Sequence, residues 1–519
     1  AAPRAPRPRS VMDALLSGGG FDFAAAAGFA SSQQNGFLPA HEAERVVESL
    51  REFTIEDVGS PAWSSQRQSL ERLNVQAHHN AVTNSDEFVK EFLVSHDKVA
   101  TLVHELLVIE AWKANVFSRF PEDALEASTT NMNAYLACYF EATLVNLLEI
   151  AFYHQDACEA AGDDALLELT DYCARALVYL NAGAKKDAED AMRKKTAKEL
   201  VNQTAAEELR EKVRDARFAT ACCALTVLRY LTDYVNQVPL CVMARLLDAH
   251  DAPMLLVPLL EERPWLRRRF EDGMERPVAE VFSDGAWGEQ AREDRMQLTK
   301  CDGQVWLALN NLTVDSKCRA KYRYDDHRKA TLERVKRFFN DVLFDQLPIL
   351  KDLQRVVDEV LLMVTPSSHE VTQGRLILEV VPETREALLN KTEDEWKAIA
   401  SGHLATHFAD TPESRTAAAM KMDDMAAMFE FMCEMDDAKK ATAKAARKPE
   451  PPPPKGIVRV DFSRLSPDDG EYYRWHVYDM EFDPRGDAKE VEVKLTDGNV
   501  ARGDQYKLSP PAPTTPAPG

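Results

Sequence analysis

Asp251-Ala252-Pro253-Met254-Leu255-Leu256-Val257-Pro258-Leu259-Leu260 is the stretch that decides the fold. It reads as a short loop, a proline near a helix start, then a nearly all-apolar run. A helix that is apolar all round must be buried on every side, as an inner helix of a stacked array is. The chain on either side repeats the theme with one-sided helices. Val99, Leu102, Val103, Leu106 and Ile109 recur at three and four. So do Leu144, Leu147, Leu148, Ala151 and Phe152, and Ala224, Val227, Leu228, Leu231, Tyr234 and Val235. Val305, Leu309 and Leu312 follow, then Leu332, Val335, Phe339 and Val342. Each set makes one apolar stripe that a neighbouring helix must cover. Pro239, Pro253, Pro264 and Pro348 punctuate the helices. Many helices with short loops and no strands between them predict an all-α fold: an armadillo- or HEAT-like α-solenoid or an irregular helical array. No strict repeat period appears.

The array is expected over residues 40–437. Residues 1–39 carry Arg4, Arg7 and Arg9 and then Ala and Gly, and read as a disordered tail rather than a transit peptide. Residues 185–215 are dense in charge and read as a solvated helix or excursion. Residues 371–381 are a candidate short strand. A basic and Pro-rich linker over 438–455 includes Pro451-Pro452-Pro453-Pro454, a stiff spacer. Beyond it the period switches to two. Val458, Val460 and Phe462, then Tyr473, Trp475 and Val477, then Val491, Val493 and Leu495 predict three strands in a small β-rich module over 456–508. A Pro-rich tail, 509–519, ends the chain.

The net charge of −22 opposes nucleic-acid binding, which needs a basic face. No run of 18 apolar residues predicts a membrane span. Nine cysteines, odd in number and scattered, fit a reducing compartment. There is no C-x-x-C, no Gly-rich phosphate loop and no G-x-S-x-G elbow. His104-Glu105 starts like a zinc-protease motif, but Val108 stands where the second ligand belongs. His78-His79 and Cys222-Cys223 are adjacent pairs, pointing about 100° apart on a helix, and cannot chelate together. No catalytic, cofactor or metal residues are expected. Trp63, Trp112, Trp265, Trp306 and Trp396 read first as packing residues. Trp265 is also the best docking anchor, because Arg267, Arg268 and Arg269 follow it in an acidic chain. Tyr473 and Trp475, with Tyr472 and Tyr478, are a second candidate partner site, as an aromatic cage or as strand packing.

Local strings are more specific than the periodicities. Gly59-Ser60-x-x-Trp63 and Leu70-Glu71-Arg72-Leu73-Asn74-Val75-Gln76-Ala77 open the series. Leu93-Val94-Ser95-His96-x-Lys98-Val99, Glu110-x-Trp112-Lys113, Asn146-Leu147-Leu148-Glu149 and Asp171-Tyr172-Cys173 follow. Leu298-x-Lys300-x-Asp302-Gly303-Gln304-Val305-Trp306, Asp345-Gln346-Leu347-Pro348 and Trp396-x-Ala398-Ile399-Ala400 complete it. In this order, over roughly residues 41–410, the chain resembles the zinc finger MYND domain-containing proteins of ciliary dynein-arm preassembly. The resemblance implies a non-enzymatic cytoplasmic assembly factor, with the ciliary base as the place to look for its concentration. It implies as partners axonemal dynein heavy and intermediate chains, an LRR-and-CS-domain assembly factor, and Hsp90/Hsp70 co-chaperones including an FKBP-type immunophilin. No nucleic acid and no membrane insertion are expected. The family's zinc-binding MYND finger has no counterpart here, since Cys433 is the last cysteine and only one lies beyond Cys318. A helical adaptor for vesicle or cargo transport is the competing class.

Overall fold

The computed structural model describes residues 38–83, 85–187, 203–269, 278–283, 285–290, 295–362, 381–412, 414–415, 457–461 and 490–494. The chain divides into two compact units, Ala1–Asp437 and Ala438–Gly519. The first begins with α1 (Ala40–Ser49), α2 (Pro61–Thr83) and α3 (Phe88–Ser95). The principal helices after these are α4 (Val99–Asn115), α5 (Ser128–Phe152), α6 (Asp163–Val178), α7 (Ala205–Asp233), α8 (Ala252–Glu262), α9 (Lys300–Val314), α10 (Asp326–Val335) and α11 (Leu350–Leu362).

Consecutive helices pair: α4 with α5, α6 with α7, α8 with α9, α10 with α11. The pairs stack, so that α4, α6, α8 and α10 form one layer and α5, α7, α9 and α11 the other. Among the described residues this is an α-solenoid of four helix pairs, and α2 covers the free side of α5 at its start. The stripes explain the order. Val99, Leu102, Leu106 and Ile109 of α4, and Ala224, Val227, Leu228 and Leu231 of α7, are almost wholly buried. Helix α5 is long and apolar enough to cross a membrane by length and composition, yet 67% of its most apolar window is buried between its neighbours. The starts of α7, α9 and α10 are fixed by side chains. Thr204 Oγ1 accepts the Glu207 N–H at 3.2 Å while Glu207 accepts the Thr204 N–H at 3.1 Å, a capping box that satisfies two otherwise orphaned donors of α7.

Two expectations change, and a third feature is one for which the sequence set no expectation. The stripe from Leu332 to Val342 is not one helix. Helix α10 ends at Val335, and Asn340 caps a new short helix, Asp341–Gln346, by accepting the Leu343 N–H at 2.9 Å. Val342 is left 42% exposed. Second, the array contains strands. Between α8 and α9 lie β1 (Leu266–Arg269), β2 (Val278–Ser283) and β3 (Ala286–Glu289), an antiparallel sheet in the order β1-β2-β3. Leu266 pairs with Val281, and Phe282 with Trp287. Phe282 and Trp287 hold the sheet on α7 through Phe218, with ring centroids 5.0 and 5.4 Å away. Third, the last helices return to the first. α12 (Thr384–Leu389) packs on α4, and α13 (Glu393–Ala405) on the turn Phe117–Arg119 that follows α4. Residues 384–408 thus form a strap. Trp112 donates its indole N–H to His403 Nδ1 at 3.0 Å, and the other imidazole nitrogen donates to the Glu56 carbonyl at 3.0 Å. The Thr130 hydroxyl donates to the Phe408 carbonyl at 2.7 Å.

In the second unit β4 (Ile457–Asp461) and β5 (Glu490–Lys494) are antiparallel, with Ile457 opposite Lys494 and Asp461 opposite Glu490. The strand expected around Tyr473, Trp475 and Val477 lies outside the described residues, as do 1–37 and 371–380.

Candidate partner-binding surface

The Trp265 region starts where α8 stops. Arg263 takes the left-handed conformation (φ 42°) and its N–H closes on the Leu259 carbonyl at 3.0 Å. The reversal turns Trp265 inward. Its side chain is fully buried and its indole N–H donates to Asp302 Oδ1 at 2.9 Å. Asp302, 2% exposed, is the third residue of α9. It also accepts Arg263 Nε at 2.8 Å, a second guanidinium N–H of Arg263, and the Thr299 N–H at 2.9 Å. One buried carboxylate therefore ties the end of α8, the tryptophan and the start of α9. A charge taken out of water is tolerated only when paired and hydrogen-bonded in this way. Trp265 is thus an internal strut. Its expected role as an exposed docking anchor is corrected, because the turn at Arg263 aims it at the core.

The three arginines divide as strand alternation dictates. Arg267 and Arg269 share one face of β1. Arg267 Nε donates to Glu280 Oε2 at 2.7 Å and Arg269 Nε lies 2.9 Å from Glu280 Oε1. The Arg267 guanidinium also stacks 4.0 Å from the Trp287 ring centre, a cation–π contact. Two of the positive charges are therefore balanced against one nearly buried acid. Arg268, on the other face, is exposed. The candidates Tyr473 and Trp475 lie outside the described residues.

The titratable groups read as structural. The Glu105 carboxylate, 1% exposed, accepts the Phe53 N–H at 2.7 Å, and burial raises its pKa. Burial pushes the His78 imidazole down to about 4 and the thiols of Cys138, Cys158 and Cys173 up to about 12. A thiol held protonated is neither a nucleophile nor a ready metal ligand. Cys223 donates to Glu149 Oε2 at 2.8 Å, and Lys300 reaches the other oxygen at 3.1 Å. Among the described residues no group of three or more His, Cys, Asp or Glu side chains is arranged to hold a metal ion.

The local strings singled out in the sequence brace helices against one another. Gly59 sits at φ 90°, where a Cβ would meet the Phe408 ring at 2.7 Å, so only glycine lets the strap close. The Ser60 hydroxyl accepts the Trp63 N–H at 3.2 Å, and Trp63 packs edge-on against Phe140 at 5.3 Å. Glu110 takes Arg175 at 2.7 and 2.6 Å and Arg385 of the strap at 3.1 Å. Lys113 pairs with Glu141, which also accepts the Tyr172 hydroxyl at 2.7 Å. Gln346 holds the Met296 carbonyl and the Leu298 N–H at 3.0 and 2.8 Å.

A curated Drosophila melanogaster protein, the zinc finger MYND domain-containing protein 10 homolog, is 29% identical to this chain over 416 residues. The match covers 79% of this chain and 88% of the fly protein. The chain is similar to that protein along most of the length of both. No protein-family profile matches the chain. No solved structure matches it. The bracing residues Gly59, Glu110, Trp112, Lys113, Asp302 and Gln346 all fall in the strings that carried the resemblance. The partners Glu280, His403 and Phe408 were invisible to sequence reasoning.

Proposed function

We propose that this protein is a cytoplasmic assembly factor for axonemal inner and outer dynein arms. It stabilises dynein heavy and intermediate chains before their import into the cilium and is needed for ciliary motility. It acts by binding rather than by catalysis, without a cofactor. Its co-workers are an LRR-and-CS-domain assembly factor and Hsp90/Hsp70 co-chaperones including an FKBP-type immunophilin, and the ciliary base is where it concentrates. The observation that carries this reading is the 416-residue similarity to the fly protein, nearly the length of the helical unit. A stiff two-layer array suits the task, because it presents a long surface at little entropic cost on binding.

The test is affinity purification of the full chain from a ciliated cell, beside a version ending at Asp437. Recovery of dynein chains and co-chaperones by both supports the reading and assigns the work to the array. Recovery of the co-assembly factor by the full chain alone assigns its docking to the C-terminal module. Recovery of vesicle-coat proteins in place of dynein chains overturns the reading.

A further inference from the structure

Two helix faces and the end of the strap line a partly open cavity of about 60 Å³. Helix α2 contributes Trp63, Ser64 and Arg67, on one side of the helix at the i, i+1 and i+4 positions. Helix α5 contributes Asn133, Leu136 and Ala137, and the strap contributes His407 and Phe408. Gly59 completes the lining. The volume is several times what one water needs and suits a group of a few heavy atoms.

The lining has a one-sided chemistry. Its apolar part is Trp63, Leu136, Ala137 and Phe408. Its polar side chains are Arg67, Asn133, Ser64 and His407, each able to donate a hydrogen bond. In a chain with 85 acids, none of the described residues that line it is acidic. Arg67 is only 3% exposed, yet its one side-chain bond among the described residues runs from Nη1 to Glu71, four residues on. A guanidinium has five N–H donors, so Arg67 keeps others to offer. Asn133 and His407 make no side-chain hydrogen bond to a described residue, and the Ser64 hydroxyl reaches only the Gly59 carbonyl at a long 3.4 Å.

We infer that this cavity is a binding site for a carboxylate carried on a short apolar stem. A carboxylate is planar with two acceptor oxygens, the match for a guanidinium fork and a side-chain amide. Arg67 is the one Lys or Arg among the described lining residues and Glu71 already shares its single charge, so the ligand is held by hydrogen bonds and a monoanion is opposed less than a phosphate dianion. The apolar wall takes the stem, either of a small carboxylic acid or of a peptide C-terminus. Because His407 and Phe408 lie 340 and 341 residues beyond Arg67, the site forms only when the strap is docked, and a bound carboxylate would fasten the strap to α2 and α5.

Thermal unfolding of the full chain tests this, with sodium acetate, sodium propionate, acetamide and inorganic phosphate as probes at ionic strength matched with chloride. A ligand that binds only the folded state raises the midpoint in a saturable way. Acetate and propionate should do so, propionate at lower concentration, and acetamide should not. Arg67→Met should weaken the acetate response at least tenfold and Asn133→Leu several-fold. If Arg67→Met fails to fold, Asn133→Leu decides, because Asn133 has no side-chain bond to a described residue to lose. An acetylated Ala-Ala-Val tripeptide with a free C-terminus, beside its amide, identifies the source. Competition with acetate by the free acid alone means a chain terminus, and acetate binding without competition means a small acid. Equal responses to acetate and acetamide, a stronger response to phosphate, or an unchanged response in Asn133→Leu overturns the inference.

Discussion

Phe408→Ala is the sharpest test of the strap. The ring is 1% exposed. It stacks on Trp112 at 5.4 Å and 23°, meets Phe120 edge-on at 5.4 Å, and lies 5.9 Å from His403. Truncating a buried Phe costs about 3–5 kcal/mol, and aromatic pairs add to the area term. The Thr130 bond goes to the Phe408 backbone and survives the change. About 4 kcal/mol should therefore be lost from the docking of residues 384–408. The global loss cannot exceed what strap docking contributes, because a strap that has come off has nothing further to lose. Two readouts separate the cases. Urea unfolding followed by tryptophan fluorescence reports the whole fold, and limited proteolysis reports the strap. We expect the urea midpoint to fall and cleavage within 384–408 to rise by a factor of hundreds at least. An unchanged midpoint with unchanged cleavage would refute the docked strap.

Gly59→Ala should destabilise by about 2 kcal/mol, from the left-handed backbone and the Phe408 contact together, read as a lower urea midpoint. Asp302→Ala strips Trp265 and Arg263 of their acceptor and α9 of its capping box; Arg263 is partly exposed, so the expected loss is about 3 kcal/mol, with red-shifted tryptophan emission. Stability should also fall with acid through His78. Its folded-state pKa of about 4 lies below the unfolded 6.5, so protons bind the unfolded chain first. Its contribution is whole above pH 6.5 and drains away towards pH 4, by about 3 kcal/mol. In His78→Gln the urea midpoint should be flatter over that window; an identical slope would exclude His78 as the cause.

The array was legible wherever one helix satisfied its own stripe. Val227, Leu228 and Leu231 announce a buried face through spacing alone, and the apolar run after Pro253 announces an inner helix. The sheet was not legible. Its strands are four to six residues long, and β1 is three parts arginine, so neither period shows. The same arginines drew attention as a docking strip, because sequence cannot show that Glu280 neutralises two of them. Trp265 misled for a related reason: one left-handed residue, Arg263, sets its direction, and nothing in the neighbouring letters marks it. The cavity combines residues 63–67, 133–137 and 407–408, a conjunction that only the folded chain creates.

The closure of Trp112 by His403 spans 291 residues, and that separation has a consequence during synthesis. At about 5–20 residues per second, the ribosome takes roughly 15–60 s to deliver the second partner after the first. For that time the aromatic surface of Trp112, Phe117 and Phe120 is made but uncovered, which is the kind of exposed apolar surface that chaperones hold. A protein proposed to shelter unfinished dynein chains is, for part of its own birth, an unfinished chain in need of shelter.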